Sequence, residues 1–222
     1  MADLSIGELD TLVLKAYRGA GFSWGMAQEA GRAATWLALN GLPAGCYFDA
    51  LLHQIDGVAA AQLTPTVVVT GNSIEWQNSS QALCPVICGS VISDLGTALT
   101  TDNNALLFSG NLYSPGILLP FVADIARDFG RNLQINIDSQ SVGISSDGEL
   151  ESTDFSILQV NKVDFSVMET SRELLTLSPG NRRVTVSDTS LSYLGTLAHR
   201  TYVPASEQSR ESGAGAGLTD ND

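Results

Sequence analysis

Positive charge is scarce in this chain. Eleven lysines and arginines face 24 aspartates and glutamates among 222 residues, a formal charge of −13. A surface of that sign repels phosphate backbones and anionic headgroups, which excludes general nucleic-acid binding and other polyanion partners. A small anionic metabolite stays compatible, because Arg182, Arg183, Arg200 or Arg210 could converge locally within the negative envelope. Cysteine is also sparse: three residues, an odd count without disulfide-scaffold spacing, imply reduced thiols. No stretch reaches the roughly 18 uninterrupted apolar residues that a membrane span needs. The start M-A-D-L-S-I-G-E lacks the basic and apolar regions of a secretory leader. These absences lead to the expectation of a cytoplasmic protein that engages neither membrane nor nucleic acid.

What is present is core-forming material, 44% hydrophobic residues in a chain of single-domain length. Ser5 and Glu8 form an S-x-x-E capping box, with Leu4 and Leu9 at the positions of a hydrophobic staple. The first helix is therefore predicted from Ile6 to about Gly19, with Leu9, Leu12, Val13, Ala16 and Tyr17 on one face. A second, from about Trp24 to Asn40, is rich in alanine and glycine and is expected to be mostly buried, with Gln28, Arg32 and Thr35 on its wet side. A third, Ala44 to Ile55, turns Tyr47, Phe48, Leu51, Leu52 and Ile55 inward.

From Leu63 the texture becomes β-branched. Thr66 to Thr70 and Ser73 to Gln77 flank Gly71-Asn72 and read as a hairpin with a type II′ turn. Pro85 to Leu99 has apolar residues at helical spacing with proline at the first position. Ala105 to Ser109 reads as a strand, and Pro120 opens a short helix to Phe129, stopped by Gly130. Further strands are expected at Leu133–Asp138, Val142–Ser145, Phe155–Val160, Val163–Val167 and Val184–Ser187. Asp188 or Thr189 then caps a last helix with Leu191, Leu194, Leu197 and Ala198 inward. The pattern describes an α+β fold, an N-terminal helical layer packed on a largely antiparallel sheet. Residues 1–203 form one domain, with a helical part at 1–57 and mixed strands and helices at 63–203. Residues 204–222 form an extended C-terminal arm.

That arm, P-A-S-E-Q-S-R-E-S-G-A-G-A-G-L-T-D-N-D, is disordered by composition. Its glycines lose the most backbone freedom on ordering, so anything that fixes it must be specific. Phe22–Leu37 (F-S-W-G-M-A-Q-E-A-G-R-A-A-T-W-L), Leu197–Ser206 (L-A-H-R-T-Y-V-P-A-S) and Gly213–Asp222 (G-A-G-A-G-L-T-D-N-D) together resemble a bacterial family catalogued as a domain of unknown function. The resemblance runs over the whole chain and is most specific at the C-terminal end. It implies a bacterial cytoplasmic protein and carries no catalytic residues across.

Individual motifs divide into bland and chemical readings. Gly21-Phe-Ser-Trp-Gly25 matches G-x-S-x-G, but a helix rather than a strand leads into Ser23, which reads as a helix cap instead of a hydrolase nucleophile. Cys84 and Cys88 share a helical face and could supply half of a metal site; core packing is the simpler reading. His53 reads as a surface or hydrogen-bonded residue. Asp220 and Asp222 offer hard oxygen ligands for calcium or magnesium, against the bland reading of a solvated acidic terminus. Gly213 to Gly217 lack the strand and helix of a phosphate loop, yet Gly215 and Gly217 would let backbone lie close to another surface.

Two functions follow as expectations. The first is a non-catalytic or auxiliary binding protein, homo-oligomeric, with the arm docked on its own body or on a second subunit. The alternative is a small-metabolite enzyme, metal-assisted through Asp220 and Asp222, in which His199, Arg200, Tyr202 and Arg210 engage an anionic substrate. The sequence specifies no cofactor.

Overall fold

Ser5 begins the first helix as its residue type requires. Its hydroxyl accepts the Glu8 amide while its own amide donates to Glu8 Oε2 at 2.7 Å, closing the capping box, a device worth about 1 kcal/mol. The structure is a computed structural model, which describes residues 1–70, 73–77, 82–95, 106–137, 140–151, 158, 162–176, 180 and 183–202.

A short strand, β1 (Ala2–Ser5), leads into α1 (Ile6–Gly19), α2 (Trp24–Leu39) and α3 (Ala44–Ile55). All three helices follow the sequence pattern closely. Leu9, Val13, Ala16 and Tyr17 of α1 are fully buried, as are Phe48, Leu51, Leu52 and Ile55 of α3. On α2, Gln28 is exposed and Arg32 and Thr35 are half-buried, as expected. Next come α4 (Ala60–Leu63), β2 (Thr66–Thr70) and β3 (Ser73–Gln77), the last two an antiparallel hairpin that pairs Thr70 with Ser73. Its turn, Gly71-Asn72, lies outside the described residues.

Helix α5 (Pro85–Leu95) begins at its proline; its expected continuation to Leu99 lies outside the described residues. Strand β4 (Leu106–Tyr113) runs four residues beyond the expected end at Ser109, because residues 109 to 113 pair with β7 (Lys162–Glu169). A 3-10 turn (Pro115–Leu118) then passes directly into α6 (Leu119–Phe129). Leu119 takes helical dihedrals, φ −49 and ψ −48, despite preceding Pro120. Continuation of the turn into the helix there overrides the usual extended preference of a pre-proline residue. Gly130, at φ 62, ends α6 as a left-handed cap.

Strands β5 (Leu133–Ile137) and β6 (Gln140–Ile144) follow. The strand expected at Phe155–Val160 lies outside the described residues except for Leu158, which is buried. Strand β8 (Arg183–Val186) precedes α7 (Asp188–His199), whose cap is Ser187, one residue before the predicted Asp188 or Thr189. The Ser187 hydroxyl accepts the Ser190 amide at 3.0 Å, and Asp188 sits inside the first turn, where its charge complements the helix dipole. Leu194, Leu197 and Ala198 face inward, and Leu191 is half-buried.

The six-stranded sheet has the order β2-β3-β4-β7-β5-β6 and is antiparallel except for β3–β4. The parallel pair has α5 between its strands in sequence, the crossover such a pair requires. A separate ribbon joins β1 to β8 antiparallel. Helix α7 packs on α1 and α3, so the helical layer is completed from the far end of the chain. Helices α5 and α6 lie between that layer and the sheet: both pack on α2, and α6 touches β5 and β6. One continuous hydrophobic cluster extends from Leu9 to Leu197. The fold is α+β, an N-terminal helical layer and a largely antiparallel sheet with α5 and α6 between them. The arm, residues 204–222, lies outside the described residues.

Candidate functional site

Helices α1 and α7 pack together and make a close contact at Gly19. A side chain at Gly19 would run into the Leu197 carbonyl, so glycine is what allows the backbones to meet there. Away from that contact, the outer faces leave an open groove enclosing about 540 Å³. Its floor is Gly7, Thr11 and Leu12 from α1 with Gly195 and Ala198 from α7. At Gly7 and at Gly195 an added Cβ would meet nothing within 4 Å. Glycine inside a helix costs roughly 0.5–1 kcal/mol relative to alanine. At Gly195, in mid-helix, no contact among the described residues requires that cost.

The ends of the groove differ in charge. Ser5 and Glu8 form one end, where the Ser5 amide and hydroxyl hold the Glu8 carboxyl below its ordinary range. Lys15 and Tyr202 form the other, roughly 10 Å further along α1. Lys15 Nζ donates to Tyr202 Oη at 3.3 Å and lies 4.9 Å from the ring centroid, a cation–π geometry. No carboxylate among the described residues pairs with Lys15. Tyr202 is 54% exposed, an unusual position for a large aromatic ring.

The sequence-derived candidates are partly brought together here. Of His199, Arg200 and Tyr202, all at the end of α7, only Tyr202 lines the groove. His199 is exposed and meets the Tyr202 ring edge-on at 5.3 Å. Arg200 turns toward α3, where both terminal nitrogens donate to Asp56 at 2.6 and 3.0 Å. Arg210, Gly215, Gly217, Asp220 and Asp222 lie outside the described residues. Sequence reasoning missed Gly7, Lys15 and Gly195. The available signal was the spacing of Gly7, Thr11 and Lys15, four residues apart and so on one face of α1, with Gly195 interrupting α7.

The remaining motifs have structural roles. Ser23 caps α2, accepting the Met26 amide. Cys84 and Cys88 are buried; Cys84 Sγ lies 2.9 Å from Tyr17 Oη, and burial pushes both thiols above the usual range. His53 stacks on Tyr193 at 3.7 Å. A second cleft of about 440 Å³ involves Glu29, Arg32, Ser90 and Asp124. Several of its polar groups bond to one another or to backbone: Arg32 bridges Glu29 at 2.8 Å and Asp124 at 2.6 Å, and Ser90 donates to the Val86 carbonyl. Among the described residues no group of three or more His, Cys, Asp or Glu is placed to hold a metal ion, and no helix is long and apolar enough to cross a membrane.

No curated protein and no solved structure matches the chain. A family model does match, over residues 4–80, a stretch that includes Phe22–Leu37 and does not reach 197–222. Residues 4–80, which supply the α1 wall of the groove, are similar to the family described as Protein of unknown function (DUF3726).

Proposed function

We propose that this is a non-catalytic binding protein whose α1–α7 groove seats a short stretch of its own C-terminal arm, residues 204–222. The observation that carries the reading is the glycine floor, open over Gly7 and Gly195 among the described residues, in a groove that Tyr202 lines. Tyr202 lines the groove, so the arm starts at its rim. Extended chain spans about 3.3 Å per residue, which is ample for Gly213 to Gly217 to fold back over the floor. Glycine lets backbone lie close against another surface, and both G-A-G-A-G and the floor at Gly7 and Gly195 offer it. Lys15 is available to a carboxylate of Glu207, Glu211, Asp220 or Asp222.

Magnitudes limit the docked length. Fixing each residue costs roughly 1–2 kcal/mol, most for glycine, so a shallow groove holds a short segment and not the whole arm. A net docking energy of about 1–2 kcal/mol is weak enough for a partner segment of similar chemistry to displace the arm. The free state of Cys46, Cys84 and Cys88 supports a reducing, cytoplasmic setting, and the C-terminal resemblance supports a bacterial source. The enzyme reading needs Arg200 free for an anionic substrate, whereas Asp56 occupies that guanidinium; this favours the binding reading.

Truncation after Tyr202 tests the proposal. Loss of a docked arm should lower Tm by about 2–8 °C, at roughly 2–4 °C per kcal/mol for a chain of this size. Lys15→Glu in the full chain should reproduce part of that loss. An unchanged Tm in both variants would sink the idea.

A further inference from the structure

The two edges of the six-stranded sheet are finished differently. At the β6 edge the Gly143 amide donates to Glu151 Oε2 at 2.9 Å, the Glu151 amide donates to the Gly143 carbonyl, and Ile144 bridges to Leu150. Arg172 clamps the Glu151 carboxylate through both terminal nitrogens. At Gly143 and Ile144 that edge is covered by the chain's own atoms. At the other edge, β2 is paired only with β3 among the described residues. Its sequence, T-V-V-V-T, contains no charge and no proline, and Val67 is 38% exposed. Natural edge strands are usually protected by charge, proline or a bulge, and β2 has none of these within it.

We infer that β2 is a homodimer interface in which a second copy of this chain adds its own β2 antiparallel, across a two-fold axis at Val68. The strand reads the same in both directions, so a two-fold contact is self-complementary: Thr66 faces Thr70 of the partner subunit, and Val67 faces Val69 of the partner subunit. The backbone pattern fits that register. Thr70 pairs with Ser73 across a two-residue connection, and the pair flanking such a connection exchanges both ladder bonds. Alternation then directs Thr70, Val68 and Thr66 toward β3 and leaves the N–H and C=O of Val67 and Val69 on the free edge. Two-fold pairing about Val68 brings those outward groups together as bonded pairs. A two-fold contact uses the β2 edge of both copies, so pairing through β2 stops at two. The inference does not depend on where the arm docks.

Sedimentation velocity on the full chain, with Val67→Pro and Val67→Lys, tests it. Proline at 67 removes an outward amide without touching the β2–β3 bonds, and lysine adds an edge charge should proline disturb folding. The expected result is a concentration-dependent dimer that both variants convert to monomer with circular dichroism unchanged; if Val67→Pro fails to fold, Val67→Lys alone decides. Amide exchange at Val69 should be slow in the dimer and fast in the Val67→Lys monomer. A wild-type monomer at every concentration, a dimer that survives Val67→Lys, or growth beyond two copies would overturn the inference.

Discussion

Glycines at the helix interfaces and glycines on the groove floor have the same letter and opposite surroundings. At Gly89 a Cβ would overlap the Phe121 ring between α5 and α6, and at Gly116 it would lie 2.6 Å from the Tyr47 ring. Those positions are glycine because a neighbour already fills the space. Among the described residues nothing fills the space over Gly7 and Gly195, and at Gly195, in mid-helix, the entropic cost has no visible return. Packing explains the first set and does not explain the second.

Substitutions at the two sets should therefore differ in sign as well as size. Gly89→Ala forces α5 and α6 apart or drives Phe121 from its rotamer, an overpacking cost of about 3 kcal/mol that should lower Tm by roughly 6–12 °C. Phe121→Leu introduced alongside should recover part of the loss; full additivity would mean that the ring is not the obstacle. Gly195→Ala should have a smaller and opposite effect. In the chain truncated after Tyr202 it should raise stability by about 1 kcal/mol through helix propensity. In the full chain the gain should shrink or reverse, because the methyl group intrudes on the docked arm. Equal gains in both chains, measured by chemical denaturation, would remove the distinction between packed and open glycines.

The smallest effect concerns the Glu8 end of the groove. Hydrogen bonds from Ser5 lower the Glu8 carboxyl, so the capping box contributes fully above the ordinary carboxylate range and is lost as pH falls through the lowered value. The Tm difference between wild type and Glu8→Gln should accordingly be present near neutrality and close in acid. A difference that widened on acidification would mean the sign is wrong.

Much of the helical layer was legible in the sequence, because α1 to α3 combine a 3.6-residue period with local punctuation such as Ser5 with Glu8, Ser23, and Asn40-Gly41. The β1–β8 ribbon was legible only in part: β8 was expected at Val184–Ser187, whereas β1 and its pairing with β8 were not. Its strands have four residues each and hold together through partners 180 positions apart, with Arg183 Nε donating to Asp3 Oδ2 at 2.6 Å, which no local window contains. The parallel β3–β4 pair was hidden for a related reason, since period-2 patterning identifies strands without ordering them. For the groove, the end of α7 was legible as a cluster of His199, Arg200 and Tyr202. Lys15 was not, because Gly7, Thr11 and Lys15 read as an ordinary wet helix face until α7 is laid beside it.

The central claim, that the arm occupies the α1–α7 groove, is tested most directly by comparing backbone amide spectra of the full chain and of the chain ending at Tyr202. Occupancy predicts shift changes concentrated at Gly7, Thr11, Lys15 and Gly195, restored when a synthetic peptide of residues 203–222 is added in trans. Spectra that coincide at those four amides, with changes confined to the residues next to the cut, would contradict it.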